Sequence, residues 1–161
     1  DLALHQFDVL LADQPCPPDN EVQAGNHRLG RSSMQVYGTR AHAERLRAGF
    51  PESLDGAAML LPTSGAVLRR RLARWFDEVG IRPRIVAEFE DAAQMKAFGE
   101  TGLGVFPAPD VIRAEITEKY QVEAIGVLDD ITEDFYAITV ERKVQHPAVL
   151  KVLETVPSEL F

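Results

Sequence analysis

Cysteine is almost missing from this chain: Cys16 stands alone among 161 residues. A single thiol excludes an internal disulfide framework and accords with a reducing compartment. Long hydrophobic runs are missing too. No apolar stretch reaches the roughly 18 residues that a membrane-spanning helix needs, and no secretory pattern opens the chain. Positive charge is scarce: 17 Lys and Arg face 25 Asp and Glu, a formal net charge of −8. That balance argues against these residues alone holding a nucleic-acid backbone, which needs a basic face. The expectation is a soluble, cytoplasmic protein with no membrane partner.

Recognisable reaction chemistry is also lacking. There is no phosphate-binding loop of the Walker type and no nucleophile elbow. Cys16 is flanked by prolines, with no base placed beside it. His5, His27, His42 and His146 show no metal-ligand spacing among themselves or with the cysteine. Gly102-Leu-Gly104 is too short for a dinucleotide fingerprint and follows a predicted helix instead of opening one. No internal repeat or low-complexity tract is present. The sequence therefore predicts no catalytic residues, no cofactor and no enzyme.

What is present is organised around residues 57–83, AAMLLPTSGAVLRRRLARWFDEVGIRP. Ala57 to Leu61 is a continuous apolar run, the pattern of a strand covered on both faces. After a polar turn, Leu68, Leu72, Trp75, Phe76 and Val79 recur at helical spacing. Arg69, Arg70, Arg71 and Arg74 lie mostly off that stripe and read as an exposed face. Thr63 or Ser64 is expected to cap the helix, and Gly80 followed by Pro83 to end it. A strand feeding a capped helix sets free N–H groups and hydroxyls at the carboxyl edge of a sheet, where open α/β folds bind small ligands.

Elsewhere strands and helices alternate at spacings suited to βαβ units. Strands are expected over Phe7 to Ala12 and Met34 to Tyr37, with a weaker one between Glu21 and Arg31 turning at Gly30. An alternating strand is expected over Arg84 to Phe89, with Ile85, Ala87 and Phe89 on one face, and others over Leu103 to Phe106, Val122 to Leu128 and Phe135 to Val140. Residues 13–20, DQPCPPDN, read as an extended crossing, because clustered prolines exclude helix and central strand. Thr39 should cap a helix to about Ala48, and Asp91 one ended by Gly99. Pro107 and Pro109 should stop the strand before them, and Pro109 should open a helix with Ile116 inward. Asp129 to Asp134 reads as an acidic surface loop. Pro147 opens a final helix. Asp1 is not an initiator methionine, and the opening residues resemble the end of a helix, so the chain reads as the C-terminal portion of a larger protein. The fold class is α/β with helices flanking a mostly parallel sheet.

Two features carry functional expectations. Glu88 and Glu90 should share a strand face with Asp91 following, and such acids could hold a cation, although they are more often a solvated strand edge plus a helix cap. The Thr63–Ser64 turn and the Phe106–Pro107 strand end should lie at one carboxyl edge and face one crevice.

The segments LDGAAMLLPT, RIVAEFED, MKAFGETGLGVFPAP and ERKVQHPAV resemble the effector-binding region of LysR-type transcriptional regulators, and the likeness covers nearly the whole chain. It is most specific in PRIVAEFED and GLGVFPAP. The resemblance implies a type II periplasmic-binding-protein-like fold with a Rossmann-like mixed sheet. Residues 1–16 would be a remnant of a first lobe and its crossing strand, 17–141 the second lobe, and 142–161 a return crossing with a helix packing on the first. It places effector contacts at Thr63, Ser64, Phe106 and Pro107, with Asp13 and Pro15 bordering the cleft floor. The pattern is most like a sodium-responsive activator within the family, which makes Asp13, Glu88 and Glu90 candidate cation ligands. The implied partners are a small molecule or ion, further copies forming a dimer or tetramer, and DNA only through a separate N-terminal domain. A solute-binding protein of the same fold, or a small α/β enzyme, is the alternative.

Overall fold

A computed structural model of the chain describes residues 9–12 and 24–140. The chain divides into two compact units, one of Asp1–Ser32 with Thr132–Phe161 and one of Ser33–Ile131. Two strands, β2 (Ala24–Gly38) and β6 (Glu123–Val140), run from one unit into the other. In the first unit β1 (Val9–Ala12) pairs antiparallel with β6, Val9 opposite Thr139 and Ala12 opposite Tyr136. Arg31 donates from Nε to Asp134 Oδ1 at 2.8 Å there, and this bond raises the arginine pKa.

The second unit carries the alternating elements that the periodicity predicts. They are α1 (Arg40–Leu46), β3 (Ala58–Pro62), α2 (Val67–Val79), β4 (Arg84–Phe89), α3 (Ala92–Glu100), β5 (Phe106–Pro109) and α4 (Arg113–Tyr120). β3 pairs parallel with β4, and its other side meets Val105 in a parallel bridge at Met59. β5 then pairs antiparallel with β2, from Met34 opposite Pro109 to Tyr37 opposite Phe106. The pairing is thus mixed: β3 and β4 form a parallel pair, joined at Val105, the residue before β5, to an antiparallel sheet of order β1-β6-β2-β5.

Two cores cover the sheet faces. Met34, Val36, Met59, Leu61 and Val105 pack with Leu72, Trp75 and Phe76 of α2 and with Ala43 and Leu46 of α1. Tyr37, Leu60, Phe106 and Ala108 pack with Met95 of α3 and Ile116 of α4. Alternate residues of β3 serve opposite layers, which is why that strand reads as an unbroken apolar run, and in β2 Met34 and Val36 serve one core while Tyr37 serves the other.

Several expectations need correcting. β2 passes through Gly30 without turning, and the stretch Asp129–Asp134 lies within β6, with Asp130 in the left-handed region at φ 67°. Long strands that change neighbours along their length can hold polar residues where a loop would be expected. Gly99 does not end α3; it sits one residue before its end, buried beneath the Phe106 ring. β4 does not alternate cleanly. Met59 pairs with Ile85 and Leu60 with Ala87, so Val86 is an extra residue in a bulge. Ile85 is consequently 44% exposed, while Val86, Ala87 and Phe89 all turn to the second core.

β5 begins where its strand was expected to stop. Val105 N–H donates to Ala58 O at 3.0 Å and Leu60 N–H to Val105 O at 2.7 Å. Continuing that parallel ladder needs N–H donors at residues 107 and 109, both prolines. The prolines end pairing with β3 and leave pairing with β2 intact, because the N–H groups facing β2 belong to Phe106 and Ala108. The final helix expected from Pro147 and the crossing of residues 13–20 lie outside the described residues.

Candidate functional site

The carboxyl edge of the parallel strands is built from the ends of β3, β4 and β5. After Pro62, Thr63 N–H donates to Phe89 O at 3.1 Å, and Ala66 N–H donates to Thr63 O at 3.0 Å. That tight turn delays the helix. Thr63 and Ser64 do not cap α2, whose N-cap is Ala66 with no side-chain hydrogen bond. A main-chain carbonyl closes the turn where a hydroxyl was expected to. The N–H groups of the first turn of α2 therefore have no capping side chain, and Ser64 and Gly65 beside them are exposed. This gives a positive helix end next to a free hydroxyl.

The turn is held from behind by the helix itself. Arg69 Nη1 donates to Pro62 O at 2.8 Å and lies 3.1 Å from Glu88 Oε2, with the arginine side chain only 16% exposed. Arg70 Nη1 donates to Gly65 O at 3.1 Å. By contrast α3 is capped as its sequence predicts, Asp91 Oδ1 accepting from Ala93 N–H at 2.8 Å.

At the end of β5 a polar network fixes the entry to α4. Gln35 is 3% exposed and donates from Nε2 to Asp110 Oδ1 at 2.8 Å. Arg113 donates to the same oxygen from Nε at 2.9 Å and also from Nη2. These bonds, Arg113 first, hold the Asp110 carboxyl below its usual range despite partial burial. Tyr37 donates its hydroxyl hydrogen to Pro109 O at 3.0 Å, and burial pushes that phenol well above its ordinary value. Both inward polar side chains of β2 in this stretch thus brace the β5–α4 junction.

Of the predicted effector contacts, Thr63 and Ser64 stand at the edge. Phe106 and Pro107 do not. Val105 is level with Met59, so Phe106 falls in the middle of the sheet, with no exposed surface and its ring stacked 5.8 Å from Tyr37. Pro107 is buried as well. Pro109 and Asp110, both partly exposed, occupy the place at the rim that those two were assigned. Asp13 and Pro15 lie outside the described residues.

Glu88 and Glu90 do not share a strand face. β4 ends at Phe89, and Glu88 already faces the Arg69 guanidinium. Among the described residues no three His, Cys, Asp or Glu side chains come together to hold a metal ion. No described helix is long and apolar enough to cross a membrane. Sequence reasoning missed Arg69, Gln35, Asp110 and Arg113. The Asp-x-x-Arg spacing over 110–113 was a readable sign of a helix-start ion pair, whereas the Arg69 and Gln35 contacts need the sheet register.

Comparison with known proteins gives a consistent result. The family model for the LysR substrate binding domain matches residues 1–160. The transcriptional activator protein NhaR of Escherichia coli K12 is 34% identical over 162 residues, covering 99% of this chain and 52% of that protein. The chain thus spans about half the length of the curated relatives it matches. Among solved structures, a Citrobacter freundii effector binding domain carrying three substitutions aligns with a TM-score of 0.72 at 17% identity, covering 100% of this chain and 79% of that one. The regulatory domain of CcmR from Synechocystis, in complex with 2-PG, aligns at 0.65 and 15% identity, covering 98% and 76%. The family and the curated relatives are transcriptional regulators, not enzymes. The chain is a LysR-type effector-binding domain, homologous to NhaR, and belongs to the LysR substrate-binding-domain family.

Proposed function

We propose that this chain is the effector-sensing part of a cytoplasmic, LysR-type transcriptional activator, and that a small anionic molecule binds at the β3–α2 turn. The observation that carries the reading is the uncapped start of α2, which leaves N–H donors beside the exposed Ser64 hydroxyl at the carboxyl edge of a parallel sheet. The exposed Arg70, in the first turn of α2 and bonded to Gly65 O, adds positive charge beside it. A sodium ion at Glu88 would have to replace the Arg69 guanidinium, so the edge favours an anion over a cation.

Binding shifts the population between two conformations of the regulator, which changes how its copies present DNA-binding regions outside this chain. Self-association as a dimer or tetramer is part of this proposal. DNA affinity is assigned to those other regions, because these residues carry a net charge of −8.

Alanine at Thr63 and Ser64 tests the site. In the full-length activator, the double variant should blunt the transcriptional response to effector while leaving the melting temperature nearly unchanged. An unaltered response removes the turn from the site.

A further inference from the structure

We infer that Arg69 is the positioning residue of the β3–α2 turn, a clamp that Pro109 of β5 makes necessary. The inference rests on the effector reading only for the meaning of the turn; the clamp itself rests on hydrogen bonds.

In the parallel bridge between β3 and Val105, the residue before β5, Ala58 O accepts from Val105 N–H. The same alternation assigns Leu60 O to the nitrogen of residue 107 and Pro62 O to that of residue 109. Both are prolines and supply no hydrogen. Pro62 O, the last carbonyl before the turn, therefore loses its sheet partner. An unpaired, half-buried carbonyl carries a desolvation penalty.

Arg69 supplies the missing donor. Its Nη1 donates to Pro62 O at 2.8 Å and lies 3.1 Å from Glu88 Oε2, an ion pair. One atom thus joins the end of β3 to the end of β4 from within the first turn of α2. Arg70 adds a second hold, at Gly65 O. Thr63 to Gly65 are fixed at both ends by the helix that follows them. Their outward face stays open, and the turn is ordered before any ligand arrives. The arginines of α2, which in sequence look like a solvated face, divide into one partly buried hook, Arg69, and its exposed neighbours.

Amide hydrogen exchange of the whole chain without ligand tests the clamp. The informative amides are Thr63, bonded to Phe89 O, and Ala66, bonded to Thr63 O. Leu60, bonded to Val105 O, and Ile81, bonded to Phe76 O, report on the rest of the unit. R69M keeps the side-chain stem and loses the donor. It should raise exchange at Thr63 and Ala66 roughly tenfold or more, the factor for losing one charge-assisted bond, while Leu60 and Ile81 stay unchanged. R69K should fall between, because a lysine nitrogen ends one bond short of Nη1. E88Q should match the native chain, since the bond from Arg69 to Pro62 O is kept. Unchanged exchange at Thr63 and Ala66 in R69M overturns the inference. An equal rise at Leu60 and Ile81 does so too, by showing general loss of stability. Because no ligand is used, failure here leaves the Thr63 and Ser64 test standing, and failure of that test leaves this one.

Discussion

Replacing Gly99 by alanine sets two opposing effects against each other, and the structure decides which wins. Within a helix, alanine is favoured over glycine by about 0.5–1 kcal/mol. A Cβ at residue 99 would stand 2.3 Å from both Cδ1 and Cε1 of Phe106. The ring has nowhere to retreat, being fully buried and stacked on Tyr37 with an interplanar angle of 21°. Forcing an extra methyl into a packed core costs about 1–3 kcal/mol. The clash should therefore exceed the propensity gain, leaving G99A less stable by about 1–2 kcal/mol. For a chain of this length that lowers the melting temperature by about 2–8 °C, read by circular dichroism and checked by urea unfolding. Shortening the opposing ring relieves the overlap, so G99A should cost less in an F106L background than alone. A rise in melting temperature for G99A, the outcome that helix propensity alone would give, refutes the packing argument.

Other substitutions and conditions test neighbouring parts of the account. D91A removes the bond to Ala93 N–H and should cost about 1 kcal/mol, while D91N should be nearly silent, as measured by chemical denaturation. L72A, at a fully buried position of α2, should cost about 2–5 kcal/mol in the same assay. His42 is 8% exposed, and burial followed by Arg45 holds its pKa below the ordinary value of 6.5. Its folded pKa is the lower one, so its contribution is present above pH 6.5 and is lost as pH falls toward the folded value. Melting curves from pH 7.5 downward should show this loss, and H42Q should flatten that part of the profile. Asp110, held low by Arg113, should add a second loss below about pH 4, absent in D110N.

The sequence makes the βα alternation legible because each element carries its own period and punctuation. The stripe of α2 buries Leu72, Trp75 and Phe76, Gly80 takes the left-handed conformation at its end, and Thr39 and Asp91 cap as their residue types require. What stayed hidden depends on register. Pro107 and Pro109 look like strand stops when read alone. Only a neighbouring strand on each side shows that a proline can end one ladder and leave the other whole. The bulge at Val86 is equally unmarked, since RIVAEF alternates acceptably by itself. Thr63 and Ser64 have the chemistry of helix caps. The helix starts further along because a carbonyl closes the turn first, which composition does not reveal. The rim of the site moved for the same reason. Phe106 looks like a strand end until β5 is seen to continue to Pro109.

The most direct test of the central claim follows the backbone amide signals of the chain during titration with sodium sulfate, short-chain sodium carboxylates and sodium chloride at matched sodium concentration. The account predicts saturable shifts at Ser64 to Leu68 with sulfate or a carboxylate, and none of that size with chloride. Equal shifts in sodium chloride, or saturable shifts elsewhere while Ser64 to Leu68 stay silent, would contradict it.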